Sequence, residues 1–166
     1  MNATLRPYRA TDFEAIADFW VAAWVATGIA EDFAARRSWL RAHLERLAAA
    51  GAEIIVVCDS RAAAVGFATI DKAGYLDQLC ISPERQGEGL ARLLIETVQR
   101  RASGPVTLHV NRENARARAI YERAGFAVSA EEISALSGRP TLRMVWRASE
   151  AHDFMNLADA APIGYP

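Results

Sequence analysis

At 166 residues, of which 52% are hydrophobic and 23% charged, the chain is long enough for one globular domain to bury a core without disulfides or a structural metal. A net charge of -1 excludes the basic surplus that a broad nucleic-acid footprint needs, while leaving room for a local site for a small anion. Cys58 and Cys80 each sit in an apolar run with no metal-ligand spacing, as reduced core thiols do, and neither a signal segment nor a membrane-length apolar span is legible. The expected address is the cytoplasm, with neither a membrane nor a nucleic acid as partner.

Along the chain, residues 5–9 read as a first strand. Thr11-Asp12-Phe13-Glu14 then has capping-box spacing and announces a helix with Ile16, Phe19, Trp20, Ala23 and Trp24 on one apolar face and Gly28 at its end. A second helix is expected from about residue 33 to 50, carrying Trp39, Leu40, His43, Leu44 and Leu47 on one side and stopped by Gly51. Residues 53–59 and 64–71 are β-rich runs joined by a short polar turn, which suits an antiparallel hairpin. Lys72-Ala73-Gly74 turns the chain into a strand over 75–81, and Pro83 blocks its continuation.

Residues 90–101 form an amphipathic helix with Leu90, Leu94 and Val98 toward the sheet and Arg100 and Arg101 at the dipole's negative end. A strand over 106–110, a helix over 115–124 stopped by Gly125, a strand over 126–133, a turn at Ser137-Gly138-Arg139-Pro140 and a strand over 141–146 complete the order β-α-α-β-β-β-α-β-α-β-β. Mixing hairpins with crossover units implies an α/β (α+β) domain over residues 1–147, a mixed sheet flanked by helices. Residues 148–166 have no strong period and read as a tail that lies on the surface or on a partner subunit; with an exposed sheet edge, it suits a homodimer.

The segment Gln86-Gly87-Glu88-Gly89-Leu90-Ala91 stands where a strand feeds a glycine-rich turn into a helix. Backbone N–H groups of the turn and of the helix start point outward together there, and the macrodipole adds partial positive charge, so the natural guest is phosphate. Glycine also serves any tight turn, and the spacing alone does not name the guest. A dinucleotide oxidoreductase would need the glycine turn early in a βαβ unit with an acidic ribose contact after it, and here the turn lies mid-chain.

A second segment, Asn114-Ala115-Arg116-Ala117-Arg118-Ala119-Ile120-Tyr121-Glu122-Arg123-Ala124-Gly125-Phe126, follows at a fixed distance. Together the two resemble the GNAT-type N-acetyltransferase superfamily. Gln86, Gly89 and Ala91 fill the three defined positions of its pyrophosphate turn, and Asn114, Ala117, Tyr121 and Gly125-Phe126 match its second motif. The resemblance covers residues 5–146 and implies a mostly antiparallel twisted sheet of about seven strands flanked by about four helices. It also implies acetyl-CoA as cosubstrate, an amine as acceptor and no metal.

By the same resemblance, the backbone of Leu79, Cys80 and Ile81 runs along the pantetheine arm, and Gln86, Gly87, Glu88, Gly89, Leu90 and Ala91 hold the pyrophosphate. Asn114 contacts the arm, caps its helix, or both. Tyr121 faces the sulfur as general acid; a phenol suits that task because its reference pKa of about 10 lies near the ~8.5 of a thiol. Asp77 is the candidate general base, and strand alternation places Asp77, Leu79 and Ile81 on one face. Its other reading is a hydrogen-bonded polar group of the strand. Glu53, His109 and Glu113 are weaker candidates for the base. Arg112, Arg116, Arg118 and Arg123 either meet CoA phosphates or form a solvated face. Trp20, Trp24 and Trp39 read as core before acceptor wall. The expected reaction is acetyl transfer to a primary amine, more readily a small molecule than a protein; the alternative on the same fold is a non-catalytic acyl-CoA binder or sensor.

Overall fold

The computed structural model describes residues 3–28, 32–135 and 137–148. Strand β1 (Thr4–Pro7) pairs antiparallel with β2 (Glu53–Cys58), which forms the expected hairpin with β3 (Ala64–Ile70), and β3 pairs with β4 (Leu76–Ile81). From residue 54 onward β2 is buried on both faces. Ile55 and Val57 belong to one core, Ile54, Val56 and Cys58 to another. That doubling explains why β2 reads as an unbroken apolar run instead of an alternating one.

The first core lies under α3 (Leu90–Arg101), which lays Leu90, Leu94, Ile95 and Val98 against the sheet. Each such side chain adds about 1.5–3 kcal/mol by leaving water. The second lies under α1 (Phe13–Val25) and α2 (Arg37–Ala49), where Ile16, Trp20, Leu40 and Leu44 meet Phe67 of β3.

Strands β5 (Val106–Asn111), β6 (Ala127–Ile133) and β7 (Pro140–Trp146) form a second antiparallel sheet in the order β5-β7-β6, with α4 (Ala115–Arg123) between β5 and β6. The two sheets meet through one parallel bridge, Tyr75 to Thr107, where Thr107 N–H donates to the Gly74 carbonyl at 2.9 Å. The expected mixed sheet thus owes its parallel part to one bridge. Past it, the edge of β4 that faces β5 carries no further strand pairing among the described residues.

Two expectations at the N-terminal end are corrected. A 3-10 turn, Ala10–Asp12, precedes α1, and no capping box forms at Thr11. Asp12 is buried instead, accepting both guanidinium nitrogens of Arg6 at 2.7 Å and the Arg9 backbone N–H at 2.8 Å, while Glu14 turns out to Arg37 and Arg41. A bidentate charged pair outweighs a neutral cap. Helix α2 starts later than expected, because Asp32 accepts the Ala35 N–H in a turn that buries Phe33 against Trp20 and Trp24. The tail assigned to residues 148–166 lies outside the described residues from 149 onward.

Candidate functional site

Pro83 opens a 3-10 turn, Pro83–Arg85, that takes the chain from the end of β4 to Gln86. Gly87 and Gly89 both have left-handed backbone, φ 89° and 81°, which costs a residue with a Cβ about 1–2 kcal/mol. A Cβ built on either glycine would meet no atom within 4 Å, so the space over the turn is open. Gly89 is the N-cap of α3 and brings no side chain to its first N–H groups. The Leu93 N–H reaches back to the Gly89 carbonyl at 3.0 Å; those ahead of it point outward at the positive end of the dipole.

The turn therefore presents an anion cradle made of main chain. Glu88 would repel an anion, but Arg85 binds its carboxylate at 2.8 Å and holds it below the usual carboxylate range. Gln86 turns inward, its Nε2 donating to the Ile81 carbonyl at 3.5 Å. That contact ties the cradle to the end of β4.

Tyr121 is fixed by the way its helix begins and ends. Asn114 accepts the Ala117 N–H at 3.0 Å, the capping role foreseen for it. At the other end, the Phe126 N–H bonds the Tyr121 carbonyl at 3.0 Å and the Gly125 N–H bonds the Glu122 carbonyl at 3.0 Å. This paired closure needs a left-handed residue at Gly125, φ 87°, and is accompanied by an apolar contact between the residues it joins. Here that contact is the Phe126 ring, edge-on to Tyr121 at 5.7 Å. The Gly-Phe pair after the tyrosine is thus the clamp that holds the tyrosine. Gln99 of α3 adds a bond to the Ala124 carbonyl at 2.8 Å. Burial pushes the Tyr121 phenol well above its ordinary value, with Cys80 and Tyr75 adding to the shift, so it keeps its proton at neutral pH and lies further from a thiol than the reference values imply, which suits it to donate a hydrogen bond to a sulfur.

Asp77 departs from the alternation expected of it. Thr69 pairs with Gln78 and Ile70 with Leu76, leaving Asp77 as the extra residue of a β-bulge. The buried Thr69 hydroxyl accepts the Gln78 N–H at 3.0 Å and supports the irregularity. A bulge re-aims a side chain. Leu79 and Ile81 pack toward α3, whereas Asp77 turns to α2 and meets His43, Nε2 to Oδ2 at 2.5 Å. The same oxygen accepts Gln78 Nε2 at 3.2 Å, and Gln78 Oε1 accepts the buried Trp20 indole N–H at 3.2 Å. His43 stacks on Trp39, ring centroids 4.7 Å apart, and its Nδ1 lies 2.9 Å from Arg46.

Sequence reasoning placed His43 only on an apolar helix face and did not single out Gln78. A histidine one turn after Trp39 was the available signal, but its partner lies 34 residues on. Trp20 is core, as expected, and also holds Gln78; Trp24 and Trp39 are half-buried beside it.

The remaining candidates separate cleanly. Cys80 packs toward α1 and α2, and burial pushes its thiol up to about 12, which leaves no thiolate to act as a nucleophile. Glu53 is held by Arg101 at 2.6 Å, at the far end of α3 from the cradle. His109 bridges the Tyr75 hydroxyl and Glu132 at 3.0 and 3.1 Å. Arg112 is paired with Glu131 and Arg118 with Glu122, while Arg116 and Arg123 are exposed. Two cavities of about 170 and 280 Å³ open at the opposite end of α3, around Arg101 and Glu53, and neither touches the cradle or Asp77. Among the described residues, no cluster of three or more His, Cys, Asp or Glu could hold a metal, and no helix is long and apolar enough to cross a membrane.

A family model described as an acetyltransferase (GNAT) domain matches residues 25–148. Solved structures with the same fold include apo YjaB from Escherichia coli, 26% identical with a TM-score of 0.70, covering 90% of this chain and 100% of that one. A phosphinothricin acetyltransferase from Sinorhizobium meliloti in complex with AcCoA is 18% identical with a TM-score of 0.67, covering 90% of each chain. A spermidine N-acetyltransferase chimera of Vibrio cholerae SpeG and hSSAT is 21% identical with a TM-score of 0.66, covering 94% and 99%. No curated protein matches the chain.

Proposed function

This chain belongs to the GNAT acetyltransferase family, and on that premise we propose that it transfers the acetyl group of acetyl-CoA directly to a primary amine, a small molecule in preference to a protein. The observation that carries the reading is the open main-chain cradle at Gly87 and Gly89, which follows the strand that bears Asp77. Pyrophosphate fits that cradle by charge and by the absence of side chains over it. The unpaired edge of β4, at Leu79, Cys80 and Ile81, offers N–H and C=O groups to the amides of the pantetheine arm, in the manner of an added strand.

Acetyl-CoA supplies the thioester; the chain supplies position, a hydrogen-bond donor and a proton acceptor. A neutral amine forms the new C–N bond as the C–S bond breaks, and the CoA sulfur leaves as a thiolate that accepts a hydrogen bond from the phenol that burial keeps protonated at Tyr121. The amine's surplus proton goes to Asp77, whose Oδ2 is engaged by His43 and Gln78. Two of the fold's relatives are named for their action on phosphinothricin and on spermidine, both amines, which supports an amine as acceptor here.

CoA release measured over a panel of small primary amines and amine-terminated peptides tests the proposal. Turnover is expected on small amines, with Asp77→Asn lowering kcat by about 10²- to 10⁴-fold at unchanged affinity for acetyl-CoA. Binding of acetyl-CoA with no turnover on any amine would make the chain a sensor instead of an enzyme.

A further inference from the structure

His43 sits in α2 and Asp77 in the bulge of β4, and their contact joins the helical layer to the strand that lines the cradle. Both side chains are largely withdrawn from solvent, 15% and 22% exposed. Two chemical facts fix the imidazole. A carboxylate can only accept, so Nε2 must donate to Asp77; a guanidinium can only donate, so Nδ1 must be bare to receive Arg46 at 2.9 Å. Stacking on Trp39 holds the ring plane within 10° of the indole.

His109 offers an internal contrast. Glu132 takes its Nε2–H and its Nδ1 faces the Tyr75 hydroxyl, so that its bare nitrogen is turned to a group that can give up a proton. At His43 the bare nitrogen is turned to a cation.

We propose that His43 is a positioning residue for acetyl transfer: locked as its Nε2–H tautomer between Arg46 and Asp77, it holds the carboxylate by Oδ2 and leaves Oδ1 to take the proton of the acceptor amine. The proton stops on Asp77, because the only free lone pair of the imidazole is already occupied by the Arg46 N–H. The polarity is therefore opposite to a hydroxyl–histidine–carboxylate relay, in which the imidazole itself takes the proton. Once the amine's nitrogen has formed its bond to carbon, the carboxylic acid returns its proton to solvent and the pair is restored without a change in His43. This assignment rests on Asp77 as the proton acceptor and adds the residue that aims it.

Two measurements on the full chain test the proposal. Long-range 1H–15N correlation, with the His43 signals assigned by their loss in His43→Gln, is expected to give the Nε2–H pattern with and without acetyl-CoA; an imidazolium or an Nδ1–H pattern overturns the lock. This readout needs no turnover, so it stands apart from the identity of the reaction. In the kinetic arm, His43→Asn, too short to reach Asp77, is expected to lower kcat by about 10- to 100-fold, the worth of a hydrogen bond to a charged group, with the KM for acetyl-CoA unchanged. His43→Gln, which restores a donor near the Nε2 position, is expected to recover kcat to within about threefold of the native enzyme.

In the Asp77→Asn background, His43→Asn is expected to cost nothing more, because the residue acts through Asp77. Independent losses that multiply in the double variant, or no rescue by glutamine, overturn the positioning role even where the amine turnover itself is confirmed.

Discussion

Between Gln86 and Ala91 the groups proposed to bind are main-chain N–H groups aimed by two left-handed glycines, whereas around Asp77 they are side chains delivered by α1, α2 and β4. The difference teaches where each half of the site can vary. A cradle of backbone binds the invariant part of a cosubstrate and is sensitive to conformation alone. A network running from Arg46 through His43, Asp77 and Gln78 to Trp20 depends on every side chain in it, and in the proposed reaction it is the half that serves the acceptor.

In the proposed reaction Tyr121 acts on the sulfur of the thioester, where the two halves meet, and gives the sharpest way to separate them. Tyr121→Phe keeps the Phe126 contact and the helix closure while removing the hydrogen-bond donor, so kcat is expected to fall by about 10²- to 10⁴-fold with acetyl-CoA affinity unchanged. A parallel loss of affinity, read by calorimetry, would mean that the tyrosine belongs to the cradle.

Asp12 tests how far the first strand is held to the turn before α1 by a charged pair. Asp12→Asn breaks the buried pair with Arg6 and is expected to cost about 3 kcal/mol in chemical denaturation near neutral pH. The hydrogen bonds from Arg6 hold the Asp12 carboxyl below the usual carboxylate range in the folded chain. Its contribution is therefore complete above about pH 4, the unfolded value, and drains away as pH falls through the lower folded value. The native chain's advantage over Asp12→Asn should shrink in acid; a constant difference from pH 7 to pH 3 would contradict the assignment.

The smallest effect is expected at Cys80. Its backbone lies on the edge assigned to pantetheine, but the residue is half-buried and its thiol is held protonated. Cys80→Ala should leave kcat within about twofold, since no reactive thiolate is lost. Iodoacetamide at pH 8 should label the native protein slowly at this position.

How legible each half was in the sequence follows from the same contrast. The cradle, the Asn114 cap and the Gly125-Phe126 closure are local: each is decided within a few residues by backbone conformation, and glycine, asparagine and proline announce it. The network proposed to serve the acceptor is decided across the fold. His43 and Asp77 are 34 residues apart and Trp20 and Gln78 are 58 apart, and no local pattern joins them. The alternation argument failed at Asp77 because a bulge depends on the partner strand, where the Thr69 hydroxyl takes a ladder N–H. Likewise, Asp12 left its expected place in a capping sequence for Arg6, a partner on β1 that capping patterns do not consider.

The most direct test of the contrast is a calorimetric titration of acetyl-CoA into the native protein, Gly89→Val and Asp77→Asn, each first shown to be folded. A β-branched residue cannot hold the φ of 81° at Gly89, and the N–H groups at the start of α3 lose their common direction. The expected result is a single site in the native protein, an unchanged site in Asp77→Asn and a loss of about 100-fold or more in Gly89→Val. Equal affinity in Gly89→Val and the native protein would contradict a donor site built from the backbone of this turn.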